Sequence, residues 1–138
     1  LDVVNLGQKQ VNITNTIKDQ YLDIDETKMI IAIRNIIDNA VKYSDTLEPI
    51  NIIINQYKNK ITISIQSIGN PIDDSEKNNL FKPFYRSQNK VHTESGFGLG
   101  LTICKKIIDA HSGTIELITN NTKTCFNIIL PQNRISKG

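Results

Sequence analysis

Three glycines at alternate positions, Gly96, Gly98 and Gly100, stand in the stretch ESGFGLGLTICKKIIDAHSG. They precede a segment whose apolar residues, Leu99, Ile103, Cys104, Ile107 and Ile108, recur at helical spacing, with His111-Ser112-Gly113 as a stop. Each glycine lowers helix stability by roughly 1 kcal/mol against alanine, so a cluster at a helix start needs a use. A glycine-rich turn feeding a helix N-terminus offers unpaired N–H groups and the positive end of the helix dipole, and both attract phosphate. The spacing is neither of the common nucleotide signatures. Leu101 stands where a dinucleotide-binding fingerprint has its third glycine, and no Gly-Lys-Ser/Thr follows as in a P-loop.

A second set lies in MIIAIRNIIDNAVKYS, where Asn35, Asn39 and Lys42 fall at i, i+4 and i+7. On a helix they form one stripe, opposite Met29, Ile33, Ile36, Ile37, Ala40 and Val41. A solvated face is one reading. Against it, exposed helix faces favour Glu, Lys and Arg, and each Asn there costs about half a kcal/mol. A neutral carbonyl oxygen beside an ammonium group suits a hard cation and phosphate oxygens. Asp38 belongs to the flank and reads as solvated.

The elements that must hold these residues follow from periodicity. Residues 10–17 alternate as a strand, and DIDETKM opens a helix running from about Glu26 to Tyr43. INIIINQ and KITISIQ form a hairpin about Tyr57-Lys58-Asn59-Lys60, and TIELIT with TCFNIIL forms another about Asn120-Asn121. Between the hairpins lie one short helical turn near Glu76 to Phe81, a polar connection of lid-like length and the glycine helix. PQNRISKG reads as a frayed tail. Paired hairpins alternating with lone helices predict an α+β two-layer sandwich. Its sheet is mixed and mostly antiparallel, of about five strands, with about three helices on one face.

Composition narrows the rest. A chain of 138 residues suits one domain, and its opening at Leu1 suggests a fragment of something longer. The net charge is +2, with no basic block interleaved with aromatics, so no nucleic-acid partner is expected. Ile and Asn make up about 30 % of the chain, above ordinary usage, which weakens any single Asn as a signal. Cys104 and Cys125 lack metal-ligand spacing and read as reduced, buried thiols of a cytosolic compartment. No apolar run approaches the ~18 residues of a membrane span, so no direct membrane contact is expected.

NIIDNAVKYS, SIGNPI, LFKPFYRS and GFGLGLTI arrive in the order and spacing of the four ATP-binding boxes of sensor histidine kinases. The chain resembles their catalytic ATP-binding domain, whose fold is shared with gyrase-, Hsp90- and MutL-type ATPases. The likeness runs from about residue 10 to Pro131, with GTIELITNNTKTCFNIILP as the closing hairpin. It implies ATP and Mg²⁺ as cofactors and a lid loop over the nucleotide. Asn39 would bind the metal, Asn35 would help position it, and Lys42 would touch phosphate oxygens. Tyr43 would pack near the adenine and sugar, with Gly69 and Ile72 close to the base. Phe81 and Phe84 would anchor the lid, and Arg86 would point to phosphate. Gly96, Gly98 and Gly100, with the N–H groups of Leu99 and Leu101 and with Thr102 beside them, would cradle the phosphate chain. The catalytic work falls in this likeness on Asn35, Lys42 and Arg86.

The implied function is that of a bacterial two-component sensor kinase: γ-phosphoryl transfer from Mg-ATP to a histidine, then onward to a response-regulator aspartate. The acceptor would sit on the histidine-bearing dimerisation domain of the same protein, absent from residues 1–138. His92 and His111 read as surface or capping histidines. The expected location is a cytoplasmic domain of a membrane-anchored sensor. Two positions depart from the pattern. Ser67 stands where the family usually has the aspartate that accepts from the adenine amino group, and Pro71 replaces a glycine. A neutral acceptor is about half as strong as a charged one, so weaker or less base-selective binding is expected. A degenerate docking module with little or no ATP binding is the alternative. A hydrolysing ATPase is disfavoured, because Asn35 occupies the place of the related enzymes' water-activating glutamate and an amide cannot act as a base.

Overall fold

A computed structural model describes residues 2–6, 9–17, 24–44, 47–69, 77, 80–81, 100–120 and 122–132. In chain order its elements are β1 (Asp2–Leu6), β2 (Lys9–Asn15), α1 (Glu26–Tyr43), β3 (Ile50–Tyr57), β4 (Lys60–Ile68), α2 (Gly100–Ala110), β5 (Thr114–Thr119) and β6 (Lys123–Pro131). The strands form one sheet in the order β1-β2-β3-β4-β6-β5. β2 and β3 run parallel, as the helical crossover α1 between them requires, and every other neighbouring pair is antiparallel. The expected mixed, mostly antiparallel sheet with helices on one face is found. Its sixth strand, β1, escapes periodicity because DVVNL sets two valines side by side instead of alternating.

Alternation along β4 and β6 puts Ile61, Ile63, Ile65, Phe126, Ile128 and Leu130 on the face that α1 and α2 cover. Met29, Ala32, Ile36 and Ala40 meet them from α1, and Leu101, Cys104 and Ile108 from α2. Leu80 joins this core and Phe81 packs against it. The rest of the expected short turn and of the lid segment lies outside the described residues. Ile103, one of the apolar residues at helical spacing, is 42 % exposed, because the face that the sheet covers is narrower than the helix's apolar content. The thiols also part company. Cys104 is fully buried and its pKa is pushed up to about 12 by desolvation. Cys125 is only half-buried, on the sheet's open face, where its Sγ donates to Asn127 Oδ1.

Asp25 caps α1, its side chain accepting from the Lys28 amide at 3.1 Å. α2 closes with paired bonds, Gly113 N–H to Ile108 O and Ser112 N–H to Asp109 O, the Schellman pattern. Its left-handed position is filled by Ser112 (φ 61°), while the glycine comes one residue later. A packing constraint explains that placement. A Cβ on Gly113 would lie 2.7 Å from Ile129 O and 2.8 Å from Leu130 Cδ2.

Two substitutions test this ending. Ser112→Gly should raise unfolding free energy by about 1 kcal/mol through relief of the positive φ. Gly113→Ala should lower it by about 1–3 kcal/mol by overpacking. Urea melts of the three proteins give both signs.

Candidate functional site

The C-terminal end of α1 is tied to the end of β4. Ser44 and Gly69 form an antiparallel bridge, and Gly69 N–H donates to Thr122 O at 2.8 Å, adding the turn that leads into β6. This is the end of the sheet where Ser67 pairs with Thr124 and Thr124 with Thr119. The C-terminus of α2 sits at the other end, where Gly113 packs on Ile129 and Leu130. The helices, which pack against each other, therefore run antiparallel, and the N-terminus of α2 points back toward Ser67. Near the far end, Asp25 N–H donates to His111 Nε2 at 2.9 Å. From there α2 rises over 11 residues, about 16 Å. An equal rise along α1 reaches the turn that holds Asn35 and Asn39.

Three of the residues predicted for the site thus share one side of α1 facing that end. Asn35, Asn39 and Lys42 are half-buried. The Asn39 amide is fixed, since its Nδ2 donates to Asn35 O at 3.0 Å. A carbonyl partner can only accept, which settles which end of the amide is nitrogen and leaves Oδ1 to face away from the helix backbone. Among the described residues nothing donates to that oxygen. A carboxamide oxygen of this kind fits a hard cation such as Mg²⁺. Among the described residues no group of three or more His, Cys, Asp or Glu could hold a metal. Lys42 stands in the last turn of α1, where the helix dipole favours a cation.

Opposite them, α2 begins at Gly100, with no acidic residue in its first turn to compensate the dipole. The side chain of Leu101 is buried in the core, 4 % exposed, which leaves its backbone as the part able to face a ligand. The N–H groups of Gly100, Leu101 and Thr102 belong to the first turn, which has no intrahelical acceptors. Thr102 Oγ1 donates to Phe81 O at 2.8 Å and so pins the start of α2 to the segment after Leu80. Tyr43 ends α1. Ile72, Phe84, Arg86, Gly96, Gly98 and Leu99 lie outside the described residues.

The floor between these elements is polar in a way the sequence analysis only half anticipated. Ser67 is 1 % exposed on the helix-covered face of β4, and its cross-strand partner Thr124 is 2 % exposed. Neither hydroxyl has a hydrogen-bond partner among the described residues. Buried polar groups in folded proteins are nearly always paired, so these two adjacent hydroxyls call for a partner outside the described residues. Thr124 was missed because it differs from its neighbours only by pairing register, which no motif reports. His111 fulfils its expected capping role, with Nδ1 to Ile107 O at 2.8 Å. Asp38 is exposed, as expected. A further concavity of about 350 Å³, lined by Ile30, Ile33, Arg34, Ile37 and Asp38, lies on the other flank of α1 and brings none of the stripe residues with it.

The geometry has counterparts among known proteins. The family described as "Histidine kinase-, DNA gyrase B-, and HSP90-like ATPase" matches residues 24–134. The sensor histidine kinase YvrG of Bacillus subtilis is 30 % identical over 82 % of this chain and 19 % of its own length. The heme sensor protein HssS of Staphylococcus aureus is 38 % identical over 75 % and 22 %. The chain thus spans about a fifth of the length of these relatives. Among solved structures, the nucleotide-free catalytic domain of histidine kinase ThkA superposes with a TM-score of 0.76 at 27 % identity, over 88 % of this chain and 78 % of that one. ThkA in complex with the response regulator protein TrrA gives 0.73 at 25 % identity, over 89 % and 34 %.

If Ser67 and Thr124 are kept for a ligand, their hydroxyls do nothing for the free protein. Thr124→Val and Ser67→Ala should leave the stability of the unliganded domain unchanged or raise it by about 1 kcal/mol. A loss of 1 kcal/mol or more in thermal or urea unfolding would show instead that the hydroxyls hold the fold.

Proposed function

Because the chain belongs to the histidine kinase-, DNA gyrase B- and HSP90-like ATPase family, we propose that it is the ATP-binding catalytic domain of a sensor histidine kinase. The reading rests above all on one observation: the Asn39 carboxamide, fixed with its oxygen outward, stands at the same end of the fold as the N-terminus of α2. Mg²⁺, when bound, neutralises charge on the phosphate oxygens. Asn39 Oδ1 would be its protein ligand, and Asn35 holds the Asn39 amide through its backbone carbonyl. Lys42 and Arg86 attract phosphate oxygens, while Gly96, Gly98 and Gly100, with the Leu99 and Leu101 N–H groups, receive the phosphate chain. Phosphoryl transfer asks mainly for such charge compensation and in-line placement. Tyr43, Ile72 and Phe84 flank the nucleotide. Thr102 serves the site from behind, through its bond to Phe81 O.

Ser67, Thr124 and Gly69 take the base. A hydroxyl both donates and accepts, so this floor satisfies an amino group or a carbonyl equally well, where a carboxylate would favour the amino group alone. ATP therefore binds with modest preference over inosine triphosphate. The phosphoryl acceptor is a histidine on the dimerisation domain of the same protein. The onward partner is a response-regulator receiver domain, a pairing supported by the ThkA–TrrA complex. Asn35 in place of a general base favours transfer to protein over hydrolysis. No helix among the described residues is long and apolar enough to cross a membrane, and we assign this domain to the cytoplasmic side of a membrane-anchored sensor.

Calorimetric titration tests the reading. Mg-ATP should bind the wild-type domain, Asn39→Ala should abolish the heat, and Ser67→Asp should sharpen discrimination against inosine triphosphate about tenfold. Adding the separately produced histidine hairpin with ATP should yield an acid-labile, base-stable phosphohistidine. Absence of heat at millimolar ATP would support the docking module, for which Ser67 and Pro71 are the sequence argument.

A further inference from the structure

We propose that His111 is a positioning residue for the nucleotide site: its imidazole sets the axial register of α2 against α1, and with it the separation between Asn39 and the amides that open α2. The inference rests on the nucleotide-binding reading above. His111 lies at the opposite end of the helix pair, about 16 Å from Gly100 along α2. Its ring makes two bonds with different roles. Ile107 O can only accept, so Nδ1 carries the proton and donates to it at 2.8 Å, which fixes the ring on its own helix. Asp25 N–H can only donate, so Nε2 offers its lone pair at 2.9 Å, which joins α2 to the residue that caps α1.

Apolar contact between the helices limits sliding through interdigitating side chains but sets register less sharply than a directional bond. It is non-directional and decides which faces meet. The buried faces also include small side chains, Ala32 and Ala40 on α1 and Cys104 on α2, which give little relief against sliding. A hydrogen bond is directional and fails within a few tenths of an ångström to an ångström of slip. Helices transmit an axial shift undiminished along their length, since their own ladders are stiff. A slip at His111 therefore reaches Gly100, while Asn39, held on α1, stays behind.

The two bonds can be deleted separately. His111→Gln places a carbonyl oxygen where Nε2 stands and keeps the link to Asp25 while losing the bond to Ile107. His111→Asn keeps a donor where Nδ1 stands and loses the link. Each variant removes one bond, so their melting temperatures should fall alike. Only His111→Asn should weaken Mg-ATP binding, by about threefold to tenfold, with His111→Gln within about twofold of wild type. In ¹H–¹⁵N spectra without nucleotide, His111→Asn should shift the amide signals of Asn39, Leu101 and Thr102, and His111→Gln should not. Equal affinities for the two variants, whether reduced or unchanged, would overturn the proposal. Should the wild-type domain bind no nucleotide, the function proposed above fails, and unshifted signals in His111→Asn would separately dispose of the register role.

Discussion

The antiparallel packing of α1 on α2 is the constraint on which the rest of the molecule depends. Helical stability in proteins comes mostly from packing an amphipathic face, and each of these helices buries its apolar face against the sheet and its neighbour. That packing leaves their polar ends side by side: a carboxamide and an ammonium group late in α1, and the head of α2, whose first turn holds no acidic residue. Neither set is specific for a triphosphate in isolation. Brought together, they set a carboxamide oxygen and the N-terminus of a helix at one end of the fold, the pairing on which the proposed function rests.

The sheet serves this pairing by its order. β6 inserts between β4 and β5, so the chain must leave β4, return through α2 and arrive at the edge before it can fill the gap. The detour carries α2 across the covered face and places its N-terminus over the strand ends that bear Ser67 and Thr124. Local bonds then lock the ends. Ser44 with Gly69, Gly69 with Thr122, Thr102 with Phe81 and Asp25 with His111 each join elements far apart in sequence. These contacts are few and mostly at the periphery, in keeping with a domain whose core is apolar and whose polar bonds decide placement more than stability.

Ser67 and Thr124 form a polar pair at the end of an otherwise apolar covered face. A hydroxyl costs less to bury than a carboxylate, whose charge would need a partner. Each hydroxyl can donate as well as accept, and neither has a side-chain partner among the described residues.

Much of this could be read before any fold was known. Periodicity located α1 to its first and last residue and both hairpins to their turns, because 3.6- and 2-residue repeats are local consequences of backbone geometry. The stripe of Asn35, Asn39 and Lys42 was legible for the same reason. β1 was not, since an edge strand is stabilised by its neighbour and DVVNL carries no alternation of its own. Nor were Thr124, the exposure of Ile103 or the link from His111 to Asp25. Their roles arise from pairing register, from how wide a helix face the sheet can cover and from an approach across 86 positions of chain. Residue types and spacing determined which faces and ends each segment could offer; only packing decided which of those segments lie side by side, because contact between distant segments is set by burial of the whole apolar surface and leaves no periodic trace.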